Sequence, residues 1–226
     1  MINKITDKQV ESITLELTQI DPQSIHSFDK LKDCAALLTE AYVPIEKQFA
    51  KQFPDAIAQD KFLNVLMPLF KNGIDNAKWD LAEEKIRTIL MNLFEEDFAK
   101  NMSANEDISS DYEHLIVTAR NKNTKALLGM IYFFISKENP QTNARVPIFG
   151  ISPKSQNKGL GKLLMSSILC KFSNIQKISL STRVSNDNAL TAYRNWGFTQ
   201  TQNTMEYWVN MEYDTTKSNV LQNSLY

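Results

Sequence analysis

Apolar and polar residues alternate from Glu11 to Ile20, with Ile13, Leu15 and Leu17 on one side and Ser12, Thr14, Glu16 and Thr18 on the other. A period of two predicts a strand with one buried face. Asp21-Pro22 stops it. From Ser27 to Gln52 the apolar positions Phe28, Leu31, Ala35, Leu38, Ala41 and Tyr42 recur at three and four, the period of an amphipathic helix that Pro44 is expected to kink or end. A second helical region covers 55–70, interrupted near Pro68. A third, 76–101, sets Trp79, Ala82, Ile86, Ile89, Leu90, Leu93 and Phe94 on one stripe, where Trp79 reads as core rather than as a platform for a ligand.

Past the polar stretch 103–111 the pattern turns to strands. Tyr112 to Ala119 and Ala126 to Ile135 are β-rich and separated by the polar run Asn121 to Lys125, which predicts an antiparallel hairpin. Arg145 to Ile151 reads as a third strand, with Pro147 marking an irregular or edge-facing section. Helix follows from Gly159 to Phe172, strand from Lys177 to Thr182, helix from Asn186 to Trp196, then strands at Phe198–Thr201 and Met205–Tyr213. This order of elements predicts one α/β domain around a mixed sheet over 1–213. The polar tail 214–226 is expected to be mobile.

Composition narrows the function classes. The 226 residues carry 25 Lys plus Arg against 26 Asp plus Glu, a net charge of −1, which offers no broad field for nucleic acid or an anionic membrane. The N-terminal stretch lacks the apolar core of a signal peptide, and no run approaches the roughly 20 apolar residues of a membrane span. A cytoplasmic protein without nucleic-acid or membrane partners is expected. Cys34 and Cys170 lie far apart, and a reduced, buried pair of thiols is expected rather than a disulfide. No metal is implied.

The chemistry concentrates after the third strand, in Ser155-Gln156-Asn157-Lys158-Gly159-Leu160-Gly161-Lys162. A strand, a short loop and a helix opening on two glycines would point the amides of Gln156 to Lys162 at an anion, which the helix dipole favours. A P-loop would need Gly-Lys-Ser/Thr, and a dinucleotide fingerprint a third glycine where Leu164 stands. The remaining alternative is that Gly159 and Gly161 only permit a tight turn and close helix packing.

Gln156-x-x-Gly159-x-Gly161 after Ile151-Ser152-Pro153 resembles the central motif of the GNAT acetyltransferase superfamily. The run Asn186-Asp187-Asn188-Ala189-Leu190-Thr191-Ala192-Tyr193-Arg194-Asn195-Trp196-Gly197-Phe198 resembles its second motif. The motifs span 146–198. The resemblance implies a single GNAT-like domain with a central, mostly antiparallel sheet flanked by helices. It implies acetyl-coenzyme A as cosubstrate, its diphosphate on the amides of Gln156, Asn157, Lys158, Gly159, Leu160, Gly161 and Lys162. The pantetheine arm would lie along the backbone of Phe149 and Ile151, with Asn186 or Asn188 contacting it and one of the two capping the helix. Tyr193 would protonate the leaving thiolate, and a backbone N–H such as that of Ile151 would hold the oxyanion. The acceptor would be a small-molecule or peptide amine.

A general base is not evident, because "RVPIFGI" and "KISLST" contain no carboxylate. Glu113, His114, Glu206 and Glu212 are candidates that read first as ordinary strand residues, a water relay would serve instead, and His26 carries no argument. About ninety residues separate the first two strands, more than a short helical pair requires. This enlarged helical segment, 21–110, is expected to build the acceptor pocket or a subunit contact such as a homodimer. The alternative function is a non-catalytic module binding an acyl-coenzyme A or a protein partner.

Overall fold

The computed structural model describes residues 12–20, 32–53, 112–137, 143–201 and 206–224. The helices expected at 55–70 and 76–101, with Trp79 and His26, lie outside the described residues. Alternation and β-branched runs produce β1 (Ile13–Ile20), β2 (Tyr112–Asn121), β3 (Leu127–Ser136), β4 (Asn143–Ile151), β5 (Lys177–Arg183), β6 (Thr199–Gln200) and β7 (Trp208–Asp214). They form one sheet in the order β1-β2-β3-β4-β5-β7-β6. Only β4 and β5 pair in parallel; the other neighbours are antiparallel. The mixed, mostly antiparallel sheet expected from the sequence is therefore the one observed.

Helix α2 (Leu160–Lys171) packs on one face, with α3 (Asp187–Asn195) following β5. The core on that face joins Leu115, Val117, Ile131, Phe133, Leu164, Ile168, Leu180 and Met211, the inward positions of alternating strands and the inner stripe of α2. Helix α1 (Lys32–Gln52) lies against the opposite face. It crosses β4 so closely that a Cβ on Gly150 would stand 2.6 Å from Leu38 Cδ2.

One irregularity shapes the sheet. Tyr132 pairs with Ile148 and Phe134 with Arg145, so Val146 and Pro147 together face the single residue Phe133. This bulge reverses the alternation of β4. Ala144 and Val146 belong to the α2-side core, and beyond it Phe149 and Ile151 pack there too. The parallel ladder to β5 reaches only Val146, opposite Leu180, after which the strands part. The irregularity expected at Pro147 is thus a splay between β4 and β5.

Four expectations are corrected. Leu15 and Leu17 remain 36% and 38% exposed, because β1 is the edge strand and α2 packs on β2, β3 and β4. Helix α1 does not end at Pro44 but runs on to Gln52; Pro44 and Glu40, whose carbonyl loses its donor, both lie on the solvent side, where water can satisfy that carbonyl. Cys34 is buried, but Cys170 is exposed on the outer side of α2. The two are not joined in a disulfide, and burial pushes the Cys34 thiol up to about 11. The described part of the tail is docked, not loose. Leu221 is fully buried in the α2-side core, and the Tyr213 hydroxyl donates to Ser218 O at 2.6 Å while accepting from Leu221 N–H at 3.3 Å.

Replacing Leu221 with Ala removes a buried side chain, for which a loss of roughly 2–5 kcal/mol is usual. Urea unfolding should show that loss as a lower midpoint with an unchanged slope. An unaltered midpoint would mean that the tail is not held in the core.

Candidate active site at the β4–β5 splay

Where β4 leaves β5, the backbone of Phe149 and Ile151 turns an edge without a strand partner toward the gap. Backbone groups without a ladder partner turn to other partners, and here side chains meet two of them. The Gln156 amide donates to Ile151 O at 3.3 Å, and the Phe149 N–H donates to the hydroxyl of Tyr42. The edge residues named from the sequence, Phe149 and Ile151, therefore do border an open strand edge.

The loop above the splay is a single 3-10 turn, Pro153–Ser155, leading into α2. Asn157 and Gly159 adopt left-handed backbone, φ 59° and 79°, a conformation open to glycine and tolerated by asparagine. Gly159 caps α2 and has no side chain to bond its first amides, so these remain available to an anion. The Lys158 ammonium donates to Lys154 O at 2.6 Å, holding one cation at the loop. Partial burial lowers the pKa of Lys162. Leu160 can offer only its amide, because its side chain is core.

The two glycines do different work. Gly159 supplies backbone conformation. A Cβ on Gly161 would lie 2.9 Å from the Trp196 ring and 3.3 Å from that of Phe149, so Gly161 lets α2 close against the aromatic end of α3. The packing alternative weighed for these glycines holds for Gly161, while Gly159 also leaves the helix terminus open.

Helix α3 begins at Asn186, whose side chain accepts from Ala189 N–H at 3.3 Å and donates to Thr182 Oγ1 at 3.1 Å. Asn186 is the cap, and Asn188 is exposed. Two helix turns on, Tyr193 is buried among Phe149, Trp196 and Phe198, with ring centroids 6.4, 5.5 and 5.7 Å away. Burial, and then the neighbouring Tyr42, raise its pKa above the ordinary tyrosine value, so the hydroxyl keeps its proton.

Sequence reading missed the contribution of α1. Its inward stripe carries Leu38 over Gly150, Tyr42 at Phe149, and Glu46 beside Arg183 at the end of β5. Glu46 and Arg183 are both buried, Nε to Oε1 at 3.5 Å. The guanidinium stacks between Phe49 and Trp208, 4.5 and 4.1 Å from their centroids. Gln48 donates to Ser185 O at 2.8 Å. Burial, with the Glu46 charge beside it, pushes the Tyr42 hydroxyl up to about 12. The available signal was Glu46, a carboxylate four residues after Tyr42 and three before Phe49, at a position where the helical stripe should be apolar.

The candidate bases fall elsewhere. Glu212 pairs with Lys177 at 3.0 Å and lies opposite Ser179, on the paired stretch of β5 below the splay. Glu206 is exposed in a turn and Glu113 is half-buried on β2. His114 is buried on the α1 side, its Nδ1 2.7 Å from the Tyr132 hydroxyl. Burial, then Lys137, lower its pKa.

Gly161→Ala should force Trp196 aside and destabilise the fold by about 1–3 kcal/mol, the usual cost of overpacking. A lower thermal midpoint with altered tryptophan emission would show it. Glu46→Gln removes the Glu46 charge from beside the buried Arg183 and should cost more than the paired Glu46→Met/Arg183→Met change, since breaking a buried pair costs about 3–5 kcal/mol. Denaturation of the two variants compares them directly.

Comparison with known proteins bears on this arrangement. The family model described as "Acetyltransferase (GNAT) domain" matches residues 78–212. No curated protein matches the chain. Among solved structures, PaiA N-acetyltransferase from Thermoplasma acidophilum, in complex with coenzyme A, is 16% identical with a TM-score of 0.49, covering 89% of this chain and 99% of its own. PH1933 from Pyrococcus horikoshii OT3 is 15% identical with a TM-score of 0.47, over 89% and 98%. A spermidine N-acetyltransferase SpeG chimera from Vibrio cholerae and hSSAT is 20% identical with a TM-score of 0.39, over 59% and 78%. The family match covers more than half of the sequence and includes both glycines of the turn and the whole of α3, and by it the chain belongs to the GNAT acetyltransferase family.

Proposed function

We infer that this protein transfers an acetyl group from acetyl-coenzyme A to an amine by direct attack. The observation that carries the reading is the convergence of three parts at the splay: an open helix terminus, a free strand edge, and the protonated hydroxyl of Tyr193. The amides from Gln156 to Lys162 suit the diphosphate, and an extended pantetheine arm suits the edge at Phe149 and Ile151 as an added strand would. Asn186, committed to its cap, can contact the arm only at the edge of that hydrogen bond, and Asn188 is the freer amide.

In this reaction a neutral amine nitrogen attacks the thioester carbon, electrons move onto the carbonyl oxygen, and the carbon–sulfur bond then breaks. Tyr193 gives its proton to the sulfur. The amine nitrogen releases one proton, which restores Tyr193 through water, so the proton count closes without a carboxylate on β4 or β5. No covalent enzyme intermediate is needed.

Calorimetric titration with acetyl-coenzyme A, followed by thiol release over polyamines, aminoglycosides, amino acids and peptide N-termini, tests the reading. Saturable binding and release with at least one amine is the expected result. Failure to bind removes the reading, and binding without release for any acceptor favours a non-catalytic acyl-coenzyme A module. Tyr193→Phe should lower kcat by about 10²-fold or more, the usual scale for a general acid, while the coenzyme Kd stays within a few-fold. Because the pKa of Tyr193 is raised from 10.0, the parent enzyme should not lose kcat through this group between pH 8 and 10, since a raised pKa keeps the acid form below it. A fall over that range that is absent from Tyr193→Phe would reject the assignment.

A further inference from the structure

Tyr42 is the residue at the splay that the reaction as described leaves without a role. Its position is fixed from both sides. Toward the N-terminus of α1, Leu38 sits over Gly150. Toward its C-terminus, Glu46 meets Arg183 and Gln48 binds Ser185 O. Between these anchors α1 crosses the gap from β4 to β5, and Tyr42 is the residue of the stripe that faces it. Its hydroxyl accepts the Phe149 N–H, a donor released by the parting of the strands after Val146.

We propose that Tyr42 is a second catalytic hydroxyl: with the Phe149 N–H it forms a two-donor seat for the carbonyl oxygen of the bound thioester. This rests on the acetyl-transfer reading above. A hydroxyl oxygen held by a strand-edge N–H occupies the place a carbonyl oxygen would take. When the thioester lies along β4, its carbonyl oxygen accepts the Phe149 N–H in place of Tyr42, and the Tyr42 O–H donates to the same oxygen. The Ile151 N–H is then left for the pantetheine arm rather than for the oxyanion.

Electrostatics at the site agree with a donor role. Among the described residues, the groups facing Tyr42 include Glu46 and Arg183 beyond it on the α1 side and Tyr193 from the α2 side. Glu46 opposes ionisation of the phenol and Arg183 offsets it in part, and burial outweighs both. A neutral phenol donates a hydrogen bond throughout the working pH range. As the amine attacks, negative charge grows on the carbonyl oxygen, and two donors already turned onto it in the bound thioester stabilise it more than they stabilise the ground-state carbonyl. The electron pair returns as the carbon–sulfur bond breaks, and Tyr42 keeps its own proton. Tyr193 and Tyr42 thus serve different atoms, sulfur and oxygen.

The carbonyl stretch of [1-13C]acetyl-coenzyme A, measured by isotope-edited infrared spectroscopy on the full chain, reads the seat without any acceptor. On binding to the parent protein the band should move to lower frequency. In Tyr42→Phe it should move back toward the free value with the Kd for acetyl-coenzyme A nearly unchanged, and in Tyr193→Phe it should stay where the parent places it. With an accepted amine, Tyr42→Phe should lower kcat by roughly 10²-fold, as loss of one oxyanion donor does. An identical band in parent and Tyr42→Phe, at equal saturation, overturns the proposal and leaves Tyr42 a packing residue. If Tyr42→Phe does not fold, 3-fluorotyrosine at position 42 replaces it: a more acidic donor should lower the frequency further, and an unmoved band overturns the proposal. If the parent does not bind acetyl-coenzyme A at all, the acetyl-transfer reading itself falls, and the seat with it.

Discussion

The bulge at Val146 and Pro147 is the constraint on which the site depends. A regular parallel ladder between β4 and β5 would pair the backbone of Phe149 with β5 and close the sheet. Proline brings no N–H to such a ladder, and two residues facing one turn the strand. The parting strands leave polar backbone exposed in the middle of a covered sheet, where each unpaired group carries a penalty of about 1–3 kcal/mol. Side chains meet two of these groups, Gln156 the Ile151 carbonyl at the surface and Tyr42 the Phe149 N–H, with the aromatic cluster of Tyr193 and Trp196 beside them.

Helix α1 crosses this gap on charged as well as apolar contacts. A buried ion pair is a poor source of net stability, since desolvation takes back most of the Coulomb gain. Glu46 and Arg183 make more sense as a register lock. Apolar contacts at Leu38 would tolerate a shift of α1 along the sheet, but a carboxylate that must meet a guanidinium fixed between Phe49 and Trp208 would not. Register matters here because a shift of one residue would carry Tyr42 about 100° around the helix, away from the sheet.

Much of this was legible in the chain. Periodicity located the described strands to within a few residues, Pro147 announced the break in β4, and the two motifs named the turn and α3. What stayed hidden depends on pairs distant in sequence. Glu46 and Arg183 are 137 positions apart, and neither is unusual alone: one is a carboxylate in a long helix, the other a cation just past the predicted end of β5 at Thr182. Leu15 and Leu17 alternate as a buried face should, yet alternation reports only that a strand has two sides. Whether a helix covers one of them depends on strand order, which places β1 at the edge. The tail misled for the opposite reason. Among its polar residues a single leucine, Leu221, suffices to dock it once Tyr213 offers a hydroxyl that both donates and accepts.

The two tyrosines reach the splay from opposite faces of the sheet, Tyr42 from α1 and Tyr193 from α3, and Tyr42 contributes to holding Tyr193 protonated. In a closed sheet the backbone layer would separate them, and their charges could not couple through it so directly. The break in β4 therefore does more than expose a strand edge. It brings two layers of side chains, one positioned by the helix after β5 and one by the helix after β1, to a single opening in the sheet. The proposed reaction, which must stabilise charge on an oxygen and protonate a sulfur bonded to the same carbon, needs donors on two sides of that carbon. A sheet opened along one strand edge is a direct way for a folded chain to provide them.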